Sequence, residues 1–176
     1  MKIFYMLFGA MFFLSGISTY SFTDIDDNTV NMSSFIGKKV LIVNTASSGD
    51  SIQFAGLETL YNTYHDSLVI IAFPSNSFGN EPLENAAIKS LMTTKYDTHF
   101  ILAGKTSVTG NDQLALFQWL TQDSLNNTLS TIIQADFYKF LVDENGELMG
   151  VFSNEVLPLD SNIIKAISIP VAPVKE

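Results

Sequence analysis

Lys39-Val40-Leu41-Ile42-Val43-Asn44-Thr45 runs into Ala46-Ser47-Ser48-Gly49, and seven residues later comes Gly56-Leu57-Glu58-Thr59-Leu60-Tyr61. The unbroken apolar stretch from Val40 to Val43 is the mark of a strand covered on both faces. Ile52, Leu57, Leu60, Tyr61 and Tyr64 then recur near helical spacing, and residues 68–73 form a second β-rich run. Strand, helix and strand in that order predict a parallel pair joined by a right-handed crossover. The fold class is therefore α/β.

Working outward, Phe22-Thr23-Asp24-Ile25 and Thr29-Val30-Asn31 flank Asp26-Asp27-Asn28, which predicts an N-terminal β-hairpin. Residues 83–92 and 112–122 read as further helices. Residues 137–142 and 148–152 alternate around Glu144-Asn145-Gly146, and Asn-Gly is the strongest short hairpin signal. A last helix is expected over 160–169, ahead of Pro170. An antiparallel hairpin added to a parallel pair makes the expected sheet a central mixed one, flanked by helices.

Several segments resemble the glutathione peroxidase family. There the pattern runs roughly L-I-V-N-x-A-S-x-C-G and then G-L-E-x-L-Y, and here Leu41-Ile42-Val43-Asn44-Thr45-Ala46-Ser47 and Gly56-Leu57-Glu58-Thr59-Leu60-Tyr61 follow it. Phe73-Pro74-Ser75-Asn76-Ser77-Phe78-Gly79 with Glu81-Pro82, Lys105 with Val108 and Gly110, Phe117-Gln118-Trp119-Leu120, and Phe137-Tyr138-Lys139-Phe140-Leu141-Val142-Asp143 fall in the family's order. The resemblance covers nearly everything after residue 20 and implies a thioredoxin-like fold.

In that family a reactive thiol or selenol sits at a strand-to-helix junction, where the helix N-terminus stabilises an anion. This chain has no cysteine in its 176 residues. Anchoring on Gly56-Leu57-Glu58 sets Ser48 opposite the family cysteine with one residue deleted upstream; anchoring on Asn44-Thr45-Ala46-Ser47 sets Gly49 there. An alcohol cannot climb the sulfenic acid ladder that reduces a peroxide. The resemblance also sets Ser75 and Ser77 against the cysteine and glutamine of F-P-C-N-Q-F-G, and Ala135-Asp136 against the W-N ahead of F-x-K-F. None of the family's catalytic side chains is therefore retained, and Asp136 would oppose an anion nearby. What remains is expected to be a filled or shallow polar cleft of Ser47, Ser48, Ser75, Asn76, Ser77 and Asp136. Trp119, on the stripe of Leu116, Phe117 and Leu120, reads as core.

Other chemistry finds little support. A serine nucleophile needs a base within hydrogen-bond reach. His65 stands at the far end of the helix that begins near Ser51, about 20 Å along its axis. His99 is left as the more plausible base. Asp24, Asp26 and Asp27 lack the frame of a calcium loop and read as a solvated turn. Two histidines without cysteine make none of the common zinc sets, so no metal and no cofactor is expected.

The net charge of −9 and the absence of arginine leave no basic stripe for nucleic acid. Lys2, the apolar run 3–14 and the small residues Ser15, Gly16, Ser18 and Thr19 have the order of a secretory signal, with cleavage expected near Ser18 or Ser21. Ile17 stands where a lipoprotein signal would need cysteine. The expected organisation is a leader over 1–20, one domain over 21–170 and a loose tail over 171–176. It describes an exported protein, periplasmic or extracellular, with no membrane association after cleavage. The leading functional expectation is a non-catalytic binding or scaffold role toward an unidentified protein or small molecule, with a homodimer as a further state. The alternative is a family-type peroxidase, an antioxidant enzyme reducing hydroperoxides, that works through a residual site or a partner's thiol.

Overall fold

The structure, a computed structural model, describes residues 16–170. The apolar run 3–14 and the tail 171–176 lie outside the described residues. Strands β1 (Ser21–Thr23) and β2 (Thr29–Asn31) pair antiparallel in a hairpin of their own. Next come β3 (Lys39–Thr45), α1 (Ser51–Tyr64), β4 (Leu68–Pro74), α2 (Asn85–Tyr96) and β5 (Ile101–Leu102). They are followed by α3 (Ala115–Thr121), α4 (Asp123–Asn126), β6 (Lys139–Val142), β7 (Leu148–Phe152) and α5 (Ser161–Ser168). The main sheet has the order β5-β4-β3-β6-β7: β3, β4 and β5 are parallel, while β6 and β7 run antiparallel. This is the mixed α/β sheet expected, with β3 at its centre.

A central strand needs apolar side chains on both faces, and β3 supplies them. Val40 and Ile42 join Phe22, Phe73, Phe117 and Trp119 on one face, while Leu41 and Val43 join Phe54, Leu57, Met92 and Ile163 on the other. Each fully buried side chain of this size is worth about 1.5–3 kcal/mol. Trp119 is core, tilted against Tyr20 with ring centroids 6.1 Å apart.

Four boundaries differ from those expected, each for a local reason. Residues 16–20, assigned above to the leader, pack on the domain: Gly16–Thr19 forms a 3-10 turn, Ile17 is buried in the core, and its N–H donates to the Gly146 carbonyl at 3.0 Å. The helix expected over 112–122 begins only at Ala115, because Leu114 N–H donates to Ser107 O and Gln113 folds back to the Val108 carbonyl. The helix expected over 83–92 instead starts at Asn85 and runs on to Tyr96, where Asp97 in the left-handed region ends it. The strand expected from residue 137 starts at Lys139, since Phe137 has φ of 67° and cannot continue a pleat.

Candidate functional site

The junction between β3 and α1 is a tight turn. The N–H of Gly49 donates to the Ala46 carbonyl at 2.9 Å, and Asp50 caps α1 by accepting from Ile52 N–H at 2.8 Å. Ser47 is held by a fork: its N–H and its Oγ donate to the two carboxylate oxygens of Glu81, both at 2.6 Å. Glu81 is only 1% exposed, and it also accepts from Leu83 N–H while its own N–H donates to Asn76 Oδ1. Its charge is thus met by three donors, which is what a buried carboxylate requires.

Beneath the turn lies the ring of Phe137. A Cβ at position 49 would sit 2.3 Å from Phe137 Cε2 and 2.8 Å from the Ala46 carbonyl oxygen, so only glycine fits. Ser48, by contrast, is exposed, with its N–H directed to the Asn80 carbonyl at 3.4 Å. Of the two candidate positions, Ser48 is the one with room for a reactive side chain. Phe137 is an aromatic residue in the left-handed region, a costly backbone state. It is held there from three sides. Its N–H donates to Asn44 O at 2.6 Å, its carbonyl accepts from Lys139 Nζ at 2.8 Å, and its ring meets Phe54 edge-on at 5.1 Å. Lys139 is fully buried, and burial pulls its ammonium down to a pKa of about 8.

Asp136 closes the other side. It is 8% exposed, Oδ2 accepts from Asn80 Nδ2 at 2.8 Å, and Oδ1 is buried without a hydrogen-bond partner. Burial pushes its carboxyl above the usual range; the Asn80 bond lowers it, and the charge of Glu81 raises it further. Ser75 and Ser77 are tied to each other and to the backbone: the Ser75 hydroxyl donates to Ser77 Oγ at 2.9 Å, and Ser77 Oγ accepts from Val108 N–H at 3.1 Å.

The six residues expected to line a cleft come from three neighbouring loops, and polar groups of Ser47, Ser75, Asn76, Ser77 and Asp136 are engaged with one another, Glu81, Asn80 or Val108, while Asp136 Oδ1 has no partner. Two concavities, of about 580 and 250 Å³, lie on the side of the hairpin turn and α2, lined by residues such as Asp26, Asn85 and Lys89, or Phe22, Phe73 and Lys105. None of the six expected residues lines either. His99, the base left open above, is not beside Ser48. Its Nδ1 is 2.7 Å from Glu58 Oε1, half-way along α1, and its ring stacks on Tyr61, which is also in contact with the His65 ring. The bond to Glu58 raises the His99 pKa. Among the described residues no group of three or more His, Cys, Asp or Glu side chains is placed to hold a metal ion. Asp24 is a turn residue, its carboxylate accepting from Asp26 N–H and Asn28 N–H.

The sequence and the fold of this chain are matched by known proteins. The family model described as glutathione peroxidase matches residues 17–121. The chain belongs to the glutathione peroxidase family. A Lactococcus lactis protein named glutathione peroxidase is 37% identical over 142 residues, covering 79% of this chain and 90% of its own. The glutathione peroxidase homolog BsaA of Bacillus subtilis is also 37% identical, over 146 residues, covering 80% and 91%. Among solved structures, Trgpx in apo form superposes with a TM-score of 0.68 at 29% identity, covering 89% of this chain and 97% of that one. A thioredoxin-family protein of Chlorobium tepidum shares the fold alone, with a TM-score of 0.59 at 14% identity, covering 84% and 92%. The thioredoxin-like fold of the glutathione peroxidase family is the fold of this chain.

Sequence reasoning missed the parts that close this site. Glu81 lay in the Glu81-Pro82 pair of the family pattern, yet nothing in its spacing told that it would grip Ser47. Asn80 and the Phe137 ring carried no signal, because their partners lie 56 and 88 residues away along the chain, Asp136 for the first and Gly49 for the second. Lys139 stood in a strand pattern whose alternation does not say that its ammonium would be buried.

Proposed function

We propose that this member of the glutathione peroxidase family is exported, does not turn over peroxides, and serves by binding a partner protein. One observation carries the reading. Of the two positions that can stand for the family cysteine, Gly49 has no room for a side chain and Ser48 carries a hydroxyl, and a chain without cysteine has no atom that forms a sulfenic acid. The surroundings support it: Asp136 and Glu81, both carboxylates, stand at a junction where an anion would have to be stabilised. A site with Ser47, Asn80 and Phe137 engaged as described leaves little for a small substrate to hold. Export rests on the charged, apolar and small-residue order of the first residues. The leader's cut falls ahead of Ile17 in this reading, because a cut at Ser18 or Ser21 would remove a core side chain and its bond to Gly146.

The test is turnover of hydrogen peroxide and of an organic hydroperoxide by purified mature protein, with glutathione or thioredoxin as reductant. Rates equal to a buffer control are expected. Turnover that persists through stringent purification and exceeds one equivalent per methionine would sink the proposal, since methionine sulfoxide formation stops at stoichiometry.

A further inference from the structure

The smaller of the two concavities, about 250 Å³, stands at the carboxyl ends of two parallel strands. Phe73 lies near the end of β4, and Gly104, Lys105 and Thr106 closely follow β5. That is the end of an open α/β sheet at which ligands bind. The buried part of its lining is apolar: the Phe22 and Phe73 rings meet edge-on at 5.0 Å, and Leu114 packs against the same core. The more exposed part carries both signs of charge, the carboxylate of Asp27 and the ammonium of Lys105. The Asp27 carboxylate makes no ion pair or hydrogen bond among the described residues. Lys105 Nζ has three hydrogens; one goes to the Leu83 carbonyl at 2.9 Å and one to the exposed Glu84 carboxylate at 2.6 Å, so a third is left. Asn85 Oδ1 takes the Lys105 N–H at 2.8 Å, while Asn85 Nδ2 stands beside Gly104, 3.3 Å from where a Cβ would be. That Nδ2 has no hydrogen-bond partner among the described residues, and both residues line the concavity. The larger concavity differs: it is more open, and its Asp26 and Lys89 are already paired with each other.

We propose that this concavity binds a free α-amino acid with an apolar side chain, its side chain on Phe22, Phe73 and Leu114, its ammonium on Asp27 and its carboxylate on Lys105 and Asn85 Nδ2. Size and charge choose the ligand. A space of about 250 Å³ is below the about 300–1,000 Å³ of sites that take drug-sized molecules, so the occupant is smaller. A simple anion would meet the Asp27 charge with no cation of its own, and a simple cation would meet Lys105 with no anion. A zwitterion with an apolar body answers all three features, and the site rejects analogues that lack one of them. The inference concerns a second site, apart from the junction turn, and depends on neither partner binding nor the absence of peroxide turnover.

The probe is L-phenylalanine, with three analogues that each lack one feature: phenethylamine without the carboxylate, phenylpropionate without the ammonium, and L-alanine without the ring. Calorimetry on the intact protein gives the affinities, and NMR amide shifts of the isotope-labelled protein give the place. Phenylalanine is expected to shift amides within 22–27, 85–89 and 104–108. Each analogue should bind about tenfold more weakly, the worth of one charged contact or one buried ring. Asp27→Asn keeps a residue type that tolerates the left-handed backbone, with φ of 65°, and Lys105→Gln keeps a donor for the Leu83 carbonyl. Both variants therefore keep the fold, which a thermal melt verifies. Asp27→Asn should weaken phenylalanine about tenfold and leave phenylpropionate no weaker, while Lys105→Gln should weaken phenylalanine as much and leave phenethylamine no weaker. No binding of phenylalanine at millimolar concentration, shifts elsewhere in the domain, or variants that treat phenylalanine and its analogues alike would overturn the inference while leaving the peroxide result untouched. Phenylpropionate binding as tightly as phenylalanine would overturn it in favour of a simple carboxylate.

Discussion

Replacing Asp136 by asparagine should stabilise this protein at neutral pH. Asp136 Oδ1 is buried with no partner, Oδ2 has one bond, to Asn80, and Glu81 places a second carboxylate close by. Its folded pKa lies above the ordinary aspartate value of 3.8, so ionisation is harder in the folded state than in the unfolded one. The sign follows. Below the unfolded pKa both states are protonated and nothing is lost; as pH rises through the folded pKa stability falls, by about 1.4 kcal/mol for each tenfold difference in proton affinity between the two states. The asparagine side chain would keep an acceptor for Asn80, remove the charge, and add a donor. The gain at pH 7 is the cost of ionising Asp136 in the folded state, about 1.4 kcal/mol for each tenfold by which folding raises its proton affinity. For a domain of this size 1 kcal/mol moves Tm by about 2–4 °C. Thermal melts of both proteins across the acid to neutral range should show Asp136→Asn higher at pH 7 and the gap closing below the unfolded pKa of about 4. A gap that is independent of pH, or a variant less stable at pH 7, would show that Asp136 is ionised without cost and that the reasoning about its burial is wrong.

Gly49→Ala should destabilise by about 1–3 kcal/mol, the range for overpacking, because its Cβ would enter the Phe137 ring at 2.3 Å; chemical denaturation measures this. A Gly49→Ala protein of unchanged stability would mean that the ring moves freely. Lys139, with a folded pKa of about 8 against the ordinary lysine value of 10.5, holds stability that is present above the unfolded pKa and lost as pH falls through the folded one. Wild type should therefore gain on Lys139→Met between pH 8 and pH 10.5, with a slope of up to about 1.4 kcal/mol per pH unit, and the gap should be flat below. Glu58→Gln should lower the His99 pKa in an NMR titration, since the hydrogen bond to Glu58 is the first cause of the raised His99 value, and an unchanged pKa would refute that cause.

How much of this was legible in the sequence depends on the range of the interaction. The β3 run, the hairpin turn at Asn145-Gly146 and the N-terminal hairpin were readable because hydrophobic period and turn chemistry act over a few residues. The strand bounds at Lys39–Thr45 needed nothing more than that. The start of β6 did not yield to the same reading: residue 137 fits a strand pattern, and its bonds with Asn44 and Lys139 and its contact with the Phe54 ring hold it in the left-handed region instead. His99 looked free to approach Ser48 until packing placed it on Glu58.

By itself the sequence determined the strand–helix–strand unit, the family resemblance and the loss of every sulfur nucleophile except methionine, all matters of local pattern and composition. Only the tertiary structure decided that Glu81 would clamp Ser47, that Phe137 would lie beneath Gly49, that Asp136 would be buried beside a second carboxylate, and that Ile17 belongs to the core. Those are contacts between segments tens of residues apart. Their energies depend on burial and on which donor meets which acceptor, and neither quantity exists in the chain until the sheet has brought the segments together.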